Sequence, residues 1–408
     1  NIMSEVKLPV NKNLNNGKGE KEISISKVIK ENGMLIALVA VVVIFQILTK
    51  GIMLKPLNIT NLIQQNGYIL ILAVGMLLVV IIGTVDLAVG SVSAFIGAVA
   101  GVAMVNKGLH PVLAIIIALA IGMIVGAIQG YWIAYKDIPG FVVTLAGQLV
   151  FRGLTMILLN GTTIAPFPTA FANLGSGFIP PLFYFIVGNG YLVGSSVLVG
   201  IALSLVFIWS DTNKRKKLKK YNFNVESKNV FLIKTIAKVA VINVATLVLA
   251  SYKGIPNILV ISGVIIAIYT FITNKTVFGR QVYAVGGNKK AAALSGVKVA
   301  KVQFLVFLNM GLMAAIAGLA YAARVNSAQP KAGVNFELDA LAACYIGGAS
   351  TSGGIGRVMG AVVGGLVMGV LNNGMSLLGV DSNWQYVIKG LVLLFAVVFD
   401  LYSKKKKA

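Results

Sequence analysis

Apolar residues recur along this chain in long continuous runs rather than in alternation. Stretches at 34–49, 67–83, 90–105, 111–134, 141–159, 190–209, 238–252, 256–273, 302–323, 358–378 and 384–401 are mostly apolar, and a shorter one covers 337–349. About 20 such residues, rising ~1.5 Å each, cross a hydrocarbon core ~30 Å thick. Backbone inside that core must satisfy its own hydrogen bonds, and runs without period-two alternation do so as helices. The pattern predicts an all-α, polytopic integral membrane bundle of about 10–12 transmembrane segments.

The polar gaps between the runs are unequal, and this predicts orientation. With the N-terminus placed inside, alternate gaps collect 27 of the 35 Lys and Arg residues, against six in the other set and two, Arg152 and Lys389, within spans. Such asymmetry puts the basic gaps and both termini in the cytoplasm. The parity requires that 337–349 crosses or that some other weak span does not. Trp132 and Trp209 at inner ends, and Tyr191, Tyr252 and Trp384 at outer ends, occupy interfacial positions.

Residues 1–33 read as a polar cytoplasmic tail and 402–408 as a basic one, with the membrane domain at 34–401 between them. A basic cytoplasmic insertion at 210–238 reads as a solvated connection resting on membrane lipid. The outer stretch 160–189 carries no charge and four prolines, which suits either a partly re-entrant lid or a docking surface.

Composition narrows the chemistry. The chain is 57% hydrophobic and 12% charged, with one Cys and one His, so no disulfide framework or Cys–His metal cluster is available to it. The net charge of +23 is explained by topology and anionic headgroups, not by nucleic acid. No phosphate-binding G-x-x-x-x-G-K-[ST] run occurs, and the Gly353–Gly356 run follows no strand. Neither a nucleophile–base pair nor a membrane-depth relay of acids stands out, so the chain reads as no enzyme and as a passive pathway opened by a separate motor. Asp86 either caps the following helix or lies in the path, and Glu337 and Asp339 open the short segment, where they complement its N-terminal dipole. Arg152 and Lys389 are buried-charge candidates that bond carbonyls, snorkel or hold helices in register.

Specific strings go further. These are Gly83-Thr84-Val85-Asp86-Leu87-Ala88-Val89-Gly90-Ser91, Ile138-Pro139-Gly140-Phe141 with Phe151-Arg152-Gly153-Leu154, and Phe278-Gly279-Arg280 leading to Val285-Gly286-Gly287-Asn288. Leu294-Ser295-Gly296-Val297, Ser327-Ala328-Gln329-Pro330, Glu337-Leu338-Asp339-Ala340 and Gly353-Gly354-Ile355-Gly356-Arg357 follow in order. Across nearly all of 34–401 the chain resembles bacterial ABC-importer permeases for monosaccharides, in the ribose, xylose and galactose branch, and looks closest to xylose or multiple-monosaccharide permeases.

The resemblance implies a bacterial cytoplasmic membrane protein and two copies of the permease around one path. It also implies a cytoplasmic ABC ATPase and an extracytoplasmic sugar-binding protein, with ATP and Mg on the ATPase and no cofactor on this chain. Within the inner loop 274–301, Lys289, Lys290, Ala291, Ala292, Ala293, Leu294, Ser295 and Gly296 are then the ATPase-coupling element, although it opens on lysines where the family pattern has an acidic residue. Neutral sugars call for amides and hydroxyls, so Asp86, Asn309, Asn326, Gln329, Asn372, Asn373 and Gln385 are translocation-path candidates, with helix packing an equal alternative for the asparagines. Arg324 and Lys331 are candidates for docking the binding protein. Competing readings are a nucleoside or branched-chain amino-acid permease, a stand-alone proton-coupled sugar carrier and, more distantly, a membrane enzyme.

Overall fold

The computed structural model describes residues 25–187, 190–221, 223, 225 and 227–405. The first helices are α1 (Ile25–Leu48), α2 (Pro56–Ile81), α3 (Val89–Gly101, prolonged by a π-helical turn over Val102–Asn106), α4 (Pro111–Tyr135), α5 (Gly140–Leu159) and the short α6 (Thr169–Ser176). A hairpin of β1 (Tyr184–Val187) and β2 (Gly190–Val193) leads into α7 (Gly194–Lys220) and α8 (Lys228–Ala250). Then come α9 (Asn257–Lys275), α10 (Val277–Gly287), α11 (Lys289–Leu294), α12 (Val299–Val325), α13 (Phe336–Ile346), α14 (Val358–Leu377) and α15 (Ser382–Lys405). Among the described residues nine helices are long and apolar enough to cross a membrane, and α1 and α15 hold shorter apolar stretches. The all-α polytopic expectation stands, with a single small hairpin added.

Proline starts many of these helices: Pro56 and Pro111 sit in the first turns of α2 and α4, and Pro139, Pro168 and Pro256 immediately precede α5, α6 and α9. Its fixed φ suits a helix start and its missing N–H is not needed there. Asn160 and Asn326 end α5 and α12 in the left-handed conformation, which asparagine tolerates better than most residues.

The core surrounds α2, whose residues 69–82 are buried without interruption. A helix apolar all round belongs inside a bundle, and α12, α14, α13 and α9 enclose this one. Helix α4 lies along α12 so closely that a Cβ on Gly311 would come within 2.2 Å of the Gly122 carbonyl oxygen. By contrast α7 packs on α8 and on the hairpin, so this pair forms a marginal arm of the bundle.

Several boundaries move. Helix α1 begins at Ile25, inside the expected tail, and residues 1–24 lie outside the described residues. Helix α2 begins at Pro56 rather than near 67, because Asn58, Thr60 and Asn66 in its first turns are buried against neighbouring elements. Residues 190–193 are strand, so that span starts at Gly194. The segment 210–238 is mostly helix: α7 runs through its lysines, good helix formers, to Lys220, and Ser227 caps α8 by accepting the Val230 N–H at 3.4 Å. Helix α15 extends through Lys405, and 406–408 fall outside the described residues.

Segment 160–183 lies across one end of the bundle. It is joined there by bridges between Ile164 and Ala328 and between Phe178 and Pro256, and Gly175 of α6 sits against the backbone of Arg324. The short segment 337–349 belongs to an interrupted passage through the bundle. After α12 ends, 326–335 turns back along the bundle until Gly333 meets Gly90 and Phe336 stacks on Tyr68, halfway down α2, with ring centroids 4.0 Å apart. Helix α13 and the loop 347–357 then complete the passage, where Gly354 N–H donates to the Ile81 carbonyl at the end of α2 (2.8 Å).

Candidate transport path and docking element

On the face that carries the basic loops, α9 passes almost directly into α10. Thr276 Oγ1 caps α10 by accepting the Gly279 N–H at 3.1 Å, and Asn288 Oδ1 caps α11 by accepting the Ala291 N–H at 3.0 Å. Both are ordinary N-cap geometries. Of the coupling candidates only Ala292 is buried; Lys289, Lys290, Ala291, Ala293, Ser295 and Gly296 are exposed, and Leu294 is 91% exposed. Gly296 closes the element with φ +83, a conformation that favours glycine. Behind it, Tyr283 Oη donates to the Gly356 carbonyl at 2.7 Å, tying α10 to the loop 347–357. Burial pushes the Tyr283 phenol above its ordinary pKa, partly offset by nearby Arg357, so it stays a neutral donor. The result is a small helix with an outward leucine on a stiff base.

Midway through the bundle the interruptions before α3 and α13 meet. Gly90 and Gly333 pack backbone to backbone, since a Cβ on Gly90 would lie 2.2 Å from the Gly333 carbonyl oxygen. Around this crossing are five charged groups. Asp86 is 2% exposed and accepts the Ala88 N–H at 2.9 Å, forming a local turn ahead of α3 rather than capping its first turn. Glu337 accepts from Gln148 Nε2 at 3.1 Å, and its other oxygen is buried without a partner. Arg152 Nη1 donates to the Ala332 carbonyl at 2.6 Å, close enough to attract Glu337 electrostatically. Lys389 of α15 lies 3.2 Å from the Asp339 carboxylate, with side-chain exposures of 14% and 2%. Glu337 and Asp339 therefore answer specific partners on α5 and α15, beyond the dipole role expected of them. Arg152 and Lys389 do hold elements in register, one through a carbonyl and the other through an ion pair.

The remaining candidates scatter. Asn309 accepts a hydrogen bond from Tyr269 between α12 and α9, and its Nδ2 is buried without a partner. Asn326 accepts the Phe167 N–H at 3.0 Å, anchoring the covering segment. Gln385 bonds its local Val380 carbonyl at 2.9 Å. Asn372 makes a long 3.5 Å contact to Asn66, whereas Asn373 and Asn58 exchange two amide hydrogen bonds at 2.9 and 3.2 Å, which makes Asn373 a packing residue between α14 and α2. Replacing Asn373 with Ala is expected to cost about 1 kcal/mol, the usual worth of an interhelical polar contact in a membrane protein. Thermal unfolding of Asn373→Ala, Asn58→Ala and the pair would check this, with the double variant losing less than the sum.

Gln329 donates to Ser327 at 3.1 Å and lines a narrow cleft of about 10 Å³ with Ser93, Tyr321, Ser327 and Phe336. That is room for about one water, so passage of a solute needs these walls to part. Arg324 is partly buried beside Tyr321 with its Nε unpartnered, while Lys331 is exposed. Gln148, Tyr68 and Tyr321 were not foreseen. A usable sign existed only for Gln148, four residues before Arg152 and so on the same helix face.

Comparison with known proteins fits this architecture. The family model described as the branched-chain amino acid transport system / permease component matches residues 58–397. The xylose transport system permease protein XylH of Haemophilus influenzae is 39% identical over 373 residues, covering 91% of this chain and 96% of that protein. XylH of Escherichia coli is 37% identical over 91% of this chain and 92% of its own length. The ribose import permease protein RbsC of Bacillus subtilis is 35% identical over 95% of this chain and 97% of its own. No solved structure matches. With its polytopic bundle matched from α2 into α15, the chain belongs to the branched-chain amino acid transport system / permease component family.

Proposed function

We propose that this chain is the membrane-spanning permease subunit of an ATP-driven, binding-protein-dependent importer of monosaccharides, with xylose or several aldoses as cargo. The observation that carries this reading is similarity to xylose and ribose permeases over more than nine-tenths of the chain. The basic face lies toward the cytoplasm of a bacterial cell, with both termini there and its lysines against anionic lipid. A cytoplasmic ABC ATPase, which holds ATP and Mg, engages residues 289–296. This chain holds no cofactor of its own.

A second copy closes the path on its open side, and a sugar-binding protein docks on the opposite face, where of the two docking candidates Lys331 is exposed and Arg324 recessed. Closure of the ATPase moves α10 and α11, and through Tyr283 and the 347–357 loop it moves α13 and the half-way crossing. Asp86, Gln329, Asn309 and Asn372 are the path candidates retained, because Asn326, Asn373 and Gln385 are committed to anchoring, interhelical or local hydrogen bonds.

Leu294 tests the docking step. Its side chain is 91% exposed, so Leu294→Asp should leave thermal unfolding within about 0.5 kcal/mol of wild type. Co-purification with the ATPase should be lost, and sugar uptake with it. An ATPase that still co-elutes with Leu294→Asp and with Gly296→Trp would remove this element from the interface.

A further inference from the structure

Helix α5 presents a largely open, apolar surface, including Val142, Leu145, Leu149, Val150 and Ile157. That surface is interrupted by two polar residues, Gln148 and Arg152, one turn apart and both partly exposed. Arg152 lies about 18 Å along the helix from Gly140 and about 10 Å from Leu159, so it is well inside any hydrocarbon layer the helix crosses. An arginine at that depth does not face lipid unless it snorkels to an interface. This one turns inward instead, to Ala332 at the half-way crossing.

Its remaining donors matter more. A guanidinium offers five N–H groups, and among the described residues one hydrogen bond from Arg152 is formed. Gln148 uses its amide nitrogen on Glu337, and the second Glu337 oxygen is buried without a partner. Phe151 stands beside these groups, its ring 5.4 Å from that of Phe95. Unspent donors, an unspent carboxylate oxygen and an aromatic ring are the chemistry that receives vicinal hydroxyls and the apolar face of a sugar ring.

We propose that Gln148 and Arg152, with Glu337 behind them, form a sugar-handling station on the wall of an aqueous path that runs along this side of α5. The proposal rests on the importer reading above and specifies which residues its path uses. Arg152 and Gln148 donate to ring hydroxyls, and Glu337 accepts from one when the half-way crossing loosens. Neutral polyols suit this set; an anionic sugar would be held too tightly by the arginine to be released.

The test uses the complete complex in lipid with its ATPase and binding protein, and it exploits the only cysteine in the chain, Cys344, which is fully buried. Leu149 lies on the Arg152 side of α5, and Leu154 on the far side. A membrane-impermeant charged thiol reagent should modify Leu149→Cys at least about tenfold faster than Leu154→Cys, and excess sugar during turnover should slow the reaction. Arg152→Gln should move several-fold less sugar per ATP hydrolysed, with partial recovery in Arg152→Lys.

Equal, slow labelling at both positions overturns the proposal, as does normal sugar moved per ATP in Arg152→Gln. Should Arg152→Gln fail to fold, the labelling result decides alone, because Leu149→Cys keeps the arginine. Loss of ATPase co-purification from the unmutated chain would instead defeat the underlying importer reading.

Discussion

Adding a methyl group at Gly286 is expected to cut transport at least about tenfold. A Cβ there would lie 1.7 Å from the Ile81 carbonyl oxygen and 2.8 Å from the Gly354 nitrogen, the same two atoms that form the 2.8 Å hydrogen bond between the end of α2 and the loop 347–357. Both obstacles are backbone, so no side chain can rotate away. Gly286→Ala must separate α10 from the central helix, and overpacking of this kind costs about 1–3 kcal/mol, occasionally more.

The functional loss should exceed the stability loss. Helix α10 leads within two residues to α11, and displacing it misplaces Leu294 relative to the ATPase. Uptake should fall by at least about tenfold, the equivalent of ~1.4 kcal/mol. Tyr283→Phe breaks only the hydroxyl contact to Gly356 in the same region and should cost about 1 kcal/mol, with transport reduced but measurable. Thermal unfolding and uptake of both variants check the order; Gly286→Ala behaving like wild type would dissolve the backbone coupling.

That junction also shows what could be read in advance. A short helix over 289–294 closed by Gly296 was legible because the alanines and the glycine are local signals; the Asn288 cap was not foreseen. The long spans were legible for a similar reason, since twenty apolar residues leave a backbone few alternatives.

Pairings across the fold were not legible. The double hydrogen bond of Asn373 goes to Asn58, 315 positions away, within a polar first turn of α2 that hydropathy excluded from the span. Glu337 finds Gln148 across 189 positions. The return of 326–335 to mid-bundle depends on two glycines, Gly90 and Gly333, meeting from distant parts of the chain. Hydropathy measures how well a segment partitions into lipid and carries no term for which neighbour will satisfy a polar group. Late-span amides and Asp86 could be named from their polarity alone, while the groups that converge at the crossing, Gln148, Arg152, Glu337 and Asp339, were mostly others.

The largest stability effect is expected at Lys389. Its side chain is 14% exposed and its ammonium lies 3.2 Å from the carboxylate of Asp339, whose side chain is 2% exposed; the other partners, Asn372 and Tyr68 at a long 3.5 Å, are neutral. Lys389→Met leaves that carboxylate buried with no cation beside it, and breaking one side of a buried pair costs about 3–5 kcal/mol. Removing both charges together leaves nothing uncompensated, so Lys389→Met with Asp339→Leu should recover most of the loss. The pair ties α15 to α13, the helix that completes the interrupted crossing, so the single variant should also loosen that element. Thermal unfolding in detergent would show a large drop for Lys389→Met and a small one for the double variant. Equal drops would mean that packing of the lysine stem, rather than the ion pair, holds α15 in place.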